Sequence, residues 1–179
     1  MTALFKENKL FKWVIERKGF LSLEQCDEFI NQIKSQQTLE VRENNYNDDN
    51  GKWVKLDESI SDNIYNVVKL ANDLSFKFHI SGVQGCYGKQ YYLDKFEEAD
   101  SFHSDMSEGD ITNTATKITT ILFLNDDYQG GELQIWDTKV KPEAGKLVIF
   151  PSFSAHKIKQ FKNKDRFVIA TFIGGNHFV

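Results

Sequence analysis

The chain has 179 residues, 40% hydrophobic and 13% aromatic, which fits one domain with a sizeable core and excludes a disordered chain. Its net charge of −4, with no basic cluster, argues against sequence-independent binding of nucleic acid. No segment approaches ~18 consecutive apolar residues, so no membrane span is expected, and residues 1–16 lack the apolar run and cleavage site of a secretory signal. Two cysteines far apart, Cys26 and Cys86, give no disulfide framework. A protein of a reducing compartment is expected, cytoplasmic in location.

In chain order, residues 10–16 read as extended. Ser22 opens a helix, with Gln25 three residues on completing a capping box. Leu23, Cys26, Phe29, Ile30 and Ile33 form its apolar stripe. Residues 44–51, rich in Asn and Asp, read as a loop or hairpin tip. Ile60, Ile64, Val67, Val68, Ala71 and Leu74 mark a second amphipathic helix over about 58–73. Phe76, Phe78 and Ile80 then alternate as in a strand. Beyond them short strands follow closely: 117–124, 132–136, 146–150, 156–161 and 166–173. Asn125, Asp126, Asp127, Gly130 and Gly131 supply a turn between the first two, and Gly174-Gly175 reads as another. Many short strands with turn residues between them suggest a barrel or jelly roll, with helices packed on one side. The expected class is mostly β with N-terminal helices (α+β), in a single domain over 1–179. Residues 1–75 would give helical support and residues 76–179 the β core.

The chemistry concentrates in His103-Ser104-Asp105, His156 and Arg166. Two imidazoles and one carboxylate can occupy one face of an octahedral metal and leave three positions for exchangeable ligands. In an extended segment His103 and Asp105 point to the same side. Arg166 can grip a carboxylate through two parallel hydrogen bonds. Alone, His-X-Asp arises often by chance, and a histidine near an aspartate is more often a hydrogen-bonded pair than a ligand pair. The surrounding segments therefore decide. His79 and His177 have no ligand spacing and read as structural or exposed.

Leu124-Asn125 leading to Gly130-Gly131-Glu132-Leu133, and residues 145–152 followed by His156 and Arg166, resemble the iron(II)/2-oxoglutarate dioxygenases of the prolyl 4-hydroxylase type. His103-Ser104-Asp105 matches that family's first two metal ligands. The resemblance covers about 91–173 and implies a double-stranded β-helix. It implies that His103, Asp105 and His156 bind Fe(II), and that Arg166 pairs with the distal carboxylate of 2-oxoglutarate. The family often uses a tyrosine shortly before His-X-Asp on the cosubstrate, and Tyr91 and Tyr92 are the candidates. Some relatives carry a further tyrosine on the strand after His-X-Asp. The matching position is Phe123, and Thr119 on the same strand face is the candidate replacement hydroxyl. A serine that relatives place two residues after the arginine is Val168 here.

The implied activity is hydroxylation of a C–H bond coupled to decarboxylation of 2-oxoglutarate by dioxygen, with ascorbate as a possible accessory. The implied partner is a prolyl residue in a peptide or protein. Residues 44–51 would be its lid or else a solvated tip. Trp53 would cover the proline ring or anchor the core, and Trp136 would line the mouth or pack on the barrel. A free amino acid or other small metabolite is the alternative substrate. Phe172 stands where nucleic-acid demethylases usually carry a second arginine, which counts against nucleic acid. A non-enzymatic jelly-roll binding module is the reading from a different class.

Overall fold

The computed structural model describes residues 13–37, 51–96, 102–106 and 114–176. The first helix, α1 (Leu23–Ser35), starts where the capping box places it. The Ser22 hydroxyl accepts the Gln25 N–H at 3.2 Å, and the Gln25 side-chain oxygen accepts the Ser22 N–H at 2.9 Å. Two backbone donors that a helix start leaves free are thus satisfied. Cys26 and Ile33 are buried and Phe29 and Ile30 pack beside them, but Leu23 faces out, so the stripe is narrower than expected. The second helix, α2 (Glu58–Ala71), is capped by the Asp57 carboxylate and buries Ile60, Ile64, Val68 and Ala71. Leu74 lies beyond it and is exposed.

The strand expected at Phe76, Phe78 and Ile80 does not form. Asn72–Phe76 continues α2 as a π-helical turn, and Lys77 turns the chain in the left-handed region at φ 60°. The Asn72 side chain then brackets Phe78, donating to its carbonyl and accepting its N–H, both at 2.9 Å. The rings of Phe76 and Phe78 stack at 5.7 Å. Local side-chain hydrogen bonds have displaced the ladder.

The main sheet has six strands. In chain order they are β1 (Ile15–Arg17), β2 (Gly51–Lys55), β3 (Gly82–Tyr91), β4 (Thr114–Phe123), β8 (Leu147–Pro151) and β11 (Arg166–Asn176). Their spatial order is β1-β8-β4-β11-β3-β2, antiparallel throughout. Facing it are β6 (Leu133–Ile135), β7 (Thr138–Val140) and β9 (His156–Ile158) in the order β7-β6-β9, and the pair β5 (Gln129–Gly130) with β10 (Phe161–Lys162). The first 75 residues are therefore not purely a helical support, because β1 and β2 form the two edges of the main sheet. Gly174-Gly175 is not a turn either. Both glycines lie inside β11, and a Cβ on Gly175 would sit 1.8 Å from the His79 carbonyl oxygen. A close backbone approach, not a reversal, calls for glycine there.

Directly opposed residues in a sheet share a face. On one face Val54, Cys86, Leu122, Ile149, Phe167 and Ile169 meet α1 and α2. On the other, Tyr91, Phe123, Val148, Phe150 and Val168 meet Leu133, Ile135, Val140 and Phe161 from the smaller sheets. This second layer is the interior of a double-stranded β-helix. Among the described residues no helix is long and apolar enough to cross a membrane.

Candidate active site

The three candidate metal ligands come together. An isolated antiparallel bridge joins His103 to His156, with backbone hydrogen bonds of 3.1 and 2.8 Å between them. Asp105 is tied one step further on, where its N–H donates to the Ser152 carbonyl at 2.9 Å. The ligating atoms of His103, Asp105 and His156 all lie within 4.8 Å of one another. Nε2 of His156 is 3.3 Å from Oδ2 of Asp105, and Nε2 of His103 is 3.9 Å from Oδ1. The three side chains thus converge on one point, a set of two imidazoles and one carboxylate that suits a single divalent cation.

The surroundings prepare those atoms. Nδ1 of His156 is 2.9 Å from the Ser154 carbonyl oxygen. That contact needs an N–H on Nδ1, so in the neutral ring Nε2, on the side of Asp105, carries the lone pair that can ligate a metal. His156 is buried and its ring packs edge-on against Phe150 at 5.0 Å. His103 is more open. Partial desolvation holds its imidazole below the usual range, the neighbouring His156 acts in the same direction, and Asp105 opposes both. A neutral imidazole is the form that binds a cation.

Thr119 does not serve Arg166. Its hydroxyl donates to Oδ2 of Asp105 at 2.9 Å. The register explains this, since Thr119 lies opposite Phe172 whereas Phe123 lies opposite Val168. Four residues of strand separate the two levels by about 13 Å.

Arg166 is fully buried on the same inner face, and none of its three guanidinium nitrogens has a hydrogen-bond partner. It lies over two rings, with its central carbon 5.0 Å from the centroid of Tyr91 and 5.3 Å from that of Phe123. Strand alternation separates the two candidate tyrosines. Tyr91 points inward opposite Arg166, while the Tyr92 ring lies under the Lys95 ammonium. Val168 lines the same interior layer.

Two inward residues escaped the sequence reading. Lys89 is buried, with its ammonium 4.1 Å from the ring centroids of both Trp53 and Tyr91. Tyr128 is buried between β4 and β5, with no partner for its hydroxyl. Lys89 was legible only through the register, and Tyr128 sits among turn residues that carry no periodicity. Trp53 stands edge-on to Tyr87, which leans on Phe172. Trp136 is half-exposed and packs against Trp13 and Phe153. Residues 44–50 of the expected lid and His177 lie outside the described residues, and Gly51 begins β2. A groove of about 520 Å³ opens on the helical side, lined by Cys26, Asp126, Asp127 and Asp165 among others. Three of its four carboxylates hold structure: Asp126 accepts from Ala144, Asp127 from Lys164 and Asp165 from Gln90 and Leu93.

Residues 88–174 match the family model of the 2OG-Fe(II) oxygenase superfamily. A PKHD-type hydroxylase of Acinetobacter baumannii is 38% identical over 87 residues, covering 42% of this chain and 38% of the relative. One of Pseudomonas fluorescens is 39% identical over 67 residues, covering 32% and 30%. The chain thus spans about a third of the length of these curated relatives. Among solved structures, the viral collagen prolyl hydroxylase of Paramecium bursaria Chlorella virus-1 superposes with a TM-score of 0.71 at 16% identity, covering 99% of both chains. A Pseudomonas putida prolyl-4-hydroxylase gives 0.63 at 16%, covering 93% of this chain and 94% of that one. These likenesses establish the double-stranded β-helix. The superfamily uses Fe(II), 2-oxoglutarate and dioxygen, and the His-Asp-His set fits that iron. Residues 88–174, just under half of the chain, are thus similar to the 2OG-Fe(II) oxygenases, and the chain has the double-stranded β-helix fold of the solved prolyl hydroxylases.

Proposed function

We propose that this chain is an Fe(II)/2-oxoglutarate-dependent dioxygenase that hydroxylates a prolyl residue of a peptide or protein. The observation that carries the cosubstrate is Arg166, a buried cation without a protein acceptor on the sheet face that also holds Thr119 and, through it, Asp105. Buried guanidinium groups are normally paired, and a dicarboxylate is the partner this one fits. His103, Asp105 and His156 would hold the iron. Iron, 2-oxoglutarate and dioxygen together supply hydroxylation of a C–H bond, with succinate and carbon dioxide as co-products.

The prolyl reading is supported by the aromatic wall of Trp53, Tyr87 and Phe172, each partly exposed on the inner face. A compact apolar ring such as that of proline packs well against an aromatic wall. The solved prolyl hydroxylases of similar fold agree, one of them in complex with a hypoxia inducible factor peptide. The second reading keeps a free amino acid or other small metabolite as the substrate.

The test is a succinate-release screen with Fe(II), 2-oxoglutarate and ascorbate over proline-containing peptides and free amino acids. A gain of one oxygen on a prolyl residue is expected, abolished by Asp105→Ala. A gain on free amino acids alone would move the assignment to the second reading, and no succinate above background with any substrate would overturn the dioxygenase reading.

A further inference from the structure

Tyr128 lies five residues beyond Phe123, the β4 residue whose ring packs beside the Arg166 guanidinium. Its ring is seated deliberately. It packs on Phe161 at 5.6 Å between centroids, and Gly131 leaves the space it occupies. A Cβ on Gly131 would meet Cε2 of Tyr128 at 2.6 Å, and the backbone there is left-handed at φ +72°. The Gly-Gly pair therefore does more than turn the chain, since its second member makes room for a buried phenol. At the end of that ring the hydroxyl is out of contact with solvent and has no hydrogen-bond partner. Arg166, likewise buried and without an acceptor, lies close enough to act electrostatically on this phenol. Burial pushes the phenol above its usual range, and the Arg166 charge and a side-chain contact in which the guanidinium donates toward the phenol oxygen oppose that; the phenol stays protonated at ordinary pH, with its O–H still to donate.

Neither the guanidinium nor the phenol O–H meets a carboxylate or carbonyl acceptor within hydrogen-bond geometry, and the two lie side by side, so one explanation serves both. A carboxylate satisfies both, because its two oxygens can take the guanidinium fork and still accept one O–H. We infer that Tyr128 is a positioning residue for the cosubstrate, donating its hydroxyl to the distal carboxylate held by Arg166 and replacing from the β4–β5 turn the hydroxyl that Phe123 lacks. This rests on 2-oxoglutarate being the cosubstrate.

Tyr128→Phe tests it, because phenylalanine keeps the ring against Phe161 and Gly131 and removes one oxygen. Binding would be measured by calorimetry on the Mn(II)-loaded protein without dioxygen, for 2-oxoglutarate and for 2-oxobutyrate, which has no distal carboxylate. The expected result is an affinity for 2-oxoglutarate lower by roughly tenfold or more, the usual scale for a hydrogen bond to a charged group. The affinities for 2-oxobutyrate and for Mn(II) should not change. Equal 2-oxoglutarate affinity in variant and parent would overturn the inference, as would parallel weakening of both oxo-acids, which marks a packing role. If the unmodified Mn(II) protein fails to bind 2-oxoglutarate, the cosubstrate reading itself falls instead.

Discussion

The Thr119 hydroxyl donates to Oδ2 of Asp105 at 2.9 Å and ties the candidate carboxylate ligand to the main sheet. The backbone around Asp105 is held by the His103–His156 bridge and by the Asp105 N–H, which donates to the Ser152 carbonyl. The hydroxyl removes one rotational freedom from the carboxylate, and Thr119 is itself fully buried on β4. Groups that orient metal ligands in this way typically change affinity by about 10–100-fold. Thr119→Val, which keeps the shape, should weaken Mn(II) binding about tenfold at an unchanged melting temperature, and Thr119→Ser should restore it. Titration calorimetry reads both. Unchanged affinity in the valine variant would mean that the backbone tether alone places the carboxylate.

Arg166 carries a stability prediction as well as a binding one. A buried charge without an acceptor destabilises the protein that contains it. A dicarboxylate that pairs with it should raise the melting temperature, by an amount equivalent to about 2.7 kcal/mol at a hundredfold excess over Kd. Arg166→Met should leave the ligand-free protein as stable as the parent or more so, and should remove the 2-oxoglutarate response. Breaking such a contact typically costs about 2–5 kcal/mol of binding. A thermal scan with and without 2-oxoglutarate distinguishes this from a structural arginine, whose loss would lower the melting temperature in both conditions.

The elements that were legible in the sequence are those whose cause is local. Ser22 and Gln25 cap α1 through atoms three residues apart, and the β-branched run before Leu124 forms β4. The candidate metal set could be proposed from the sequence because its residues come as His-X-Asp and a later His at the start of a strand, and the fold brings the three together. What was not legible depends on register. Thr119 and Phe123 share a strand face, and only the pairing of β4 with β11 shows which of them meets Arg166. Tyr91 and Tyr92 differ by one residue, and only the pairing of β3 with β11 shows that Tyr91 is the one beside Arg166. Phe76, Phe78 and Ile80 alternate like a strand, yet Asn72 holds Phe78 by two side-chain hydrogen bonds. That is a contact six residues apart, which a period-two reading does not register.

Gly145 joins the N-terminal segment to the barrel and should tolerate no side chain. Its backbone is left-handed at φ +78°, and a Cβ would lie 2.2 Å from the Leu21 carbonyl oxygen. Its own carbonyl accepts the N–H groups of Phe20 and Leu21 at 2.8 and 3.3 Å, just before the α1 cap. Gly145→Ala should therefore cost roughly 1–3 kcal/mol in denaturant unfolding, the usual scale of a strained backbone position. Mn(II) affinity of the folded protein should be preserved, because His103, Asp105 and His156 lie elsewhere. A variant as stable as the parent would show that the Leu21 segment shifts freely.

Cys26 links burial to alkaline stability. It lies on the inner side of α1 with 1% of its surface exposed. Burial pushes its thiol up to about 11, against a weaker opposing hydrogen bond with the Gly145 backbone. The fold therefore favours the protonated form. That contribution is fully present below the unfolded value near 9 and is lost as pH rises through 11. The parent should lose stability to denaturant between about pH 8 and about pH 10.5. Cys26→Ala should lose less over the same interval, although it starts lower because a packed side chain has been trimmed. Cys86, also raised by burial, has the same sign and remains in both proteins. Alkylation by iodoacetamide gives an independent reading, since only the thiolate reacts. Labelling of Cys26 in the native protein should run at least about tenfold slower than in denaturant. Equal rates, or equal losses of stability in parent and variant, would place Cys26 in contact with water.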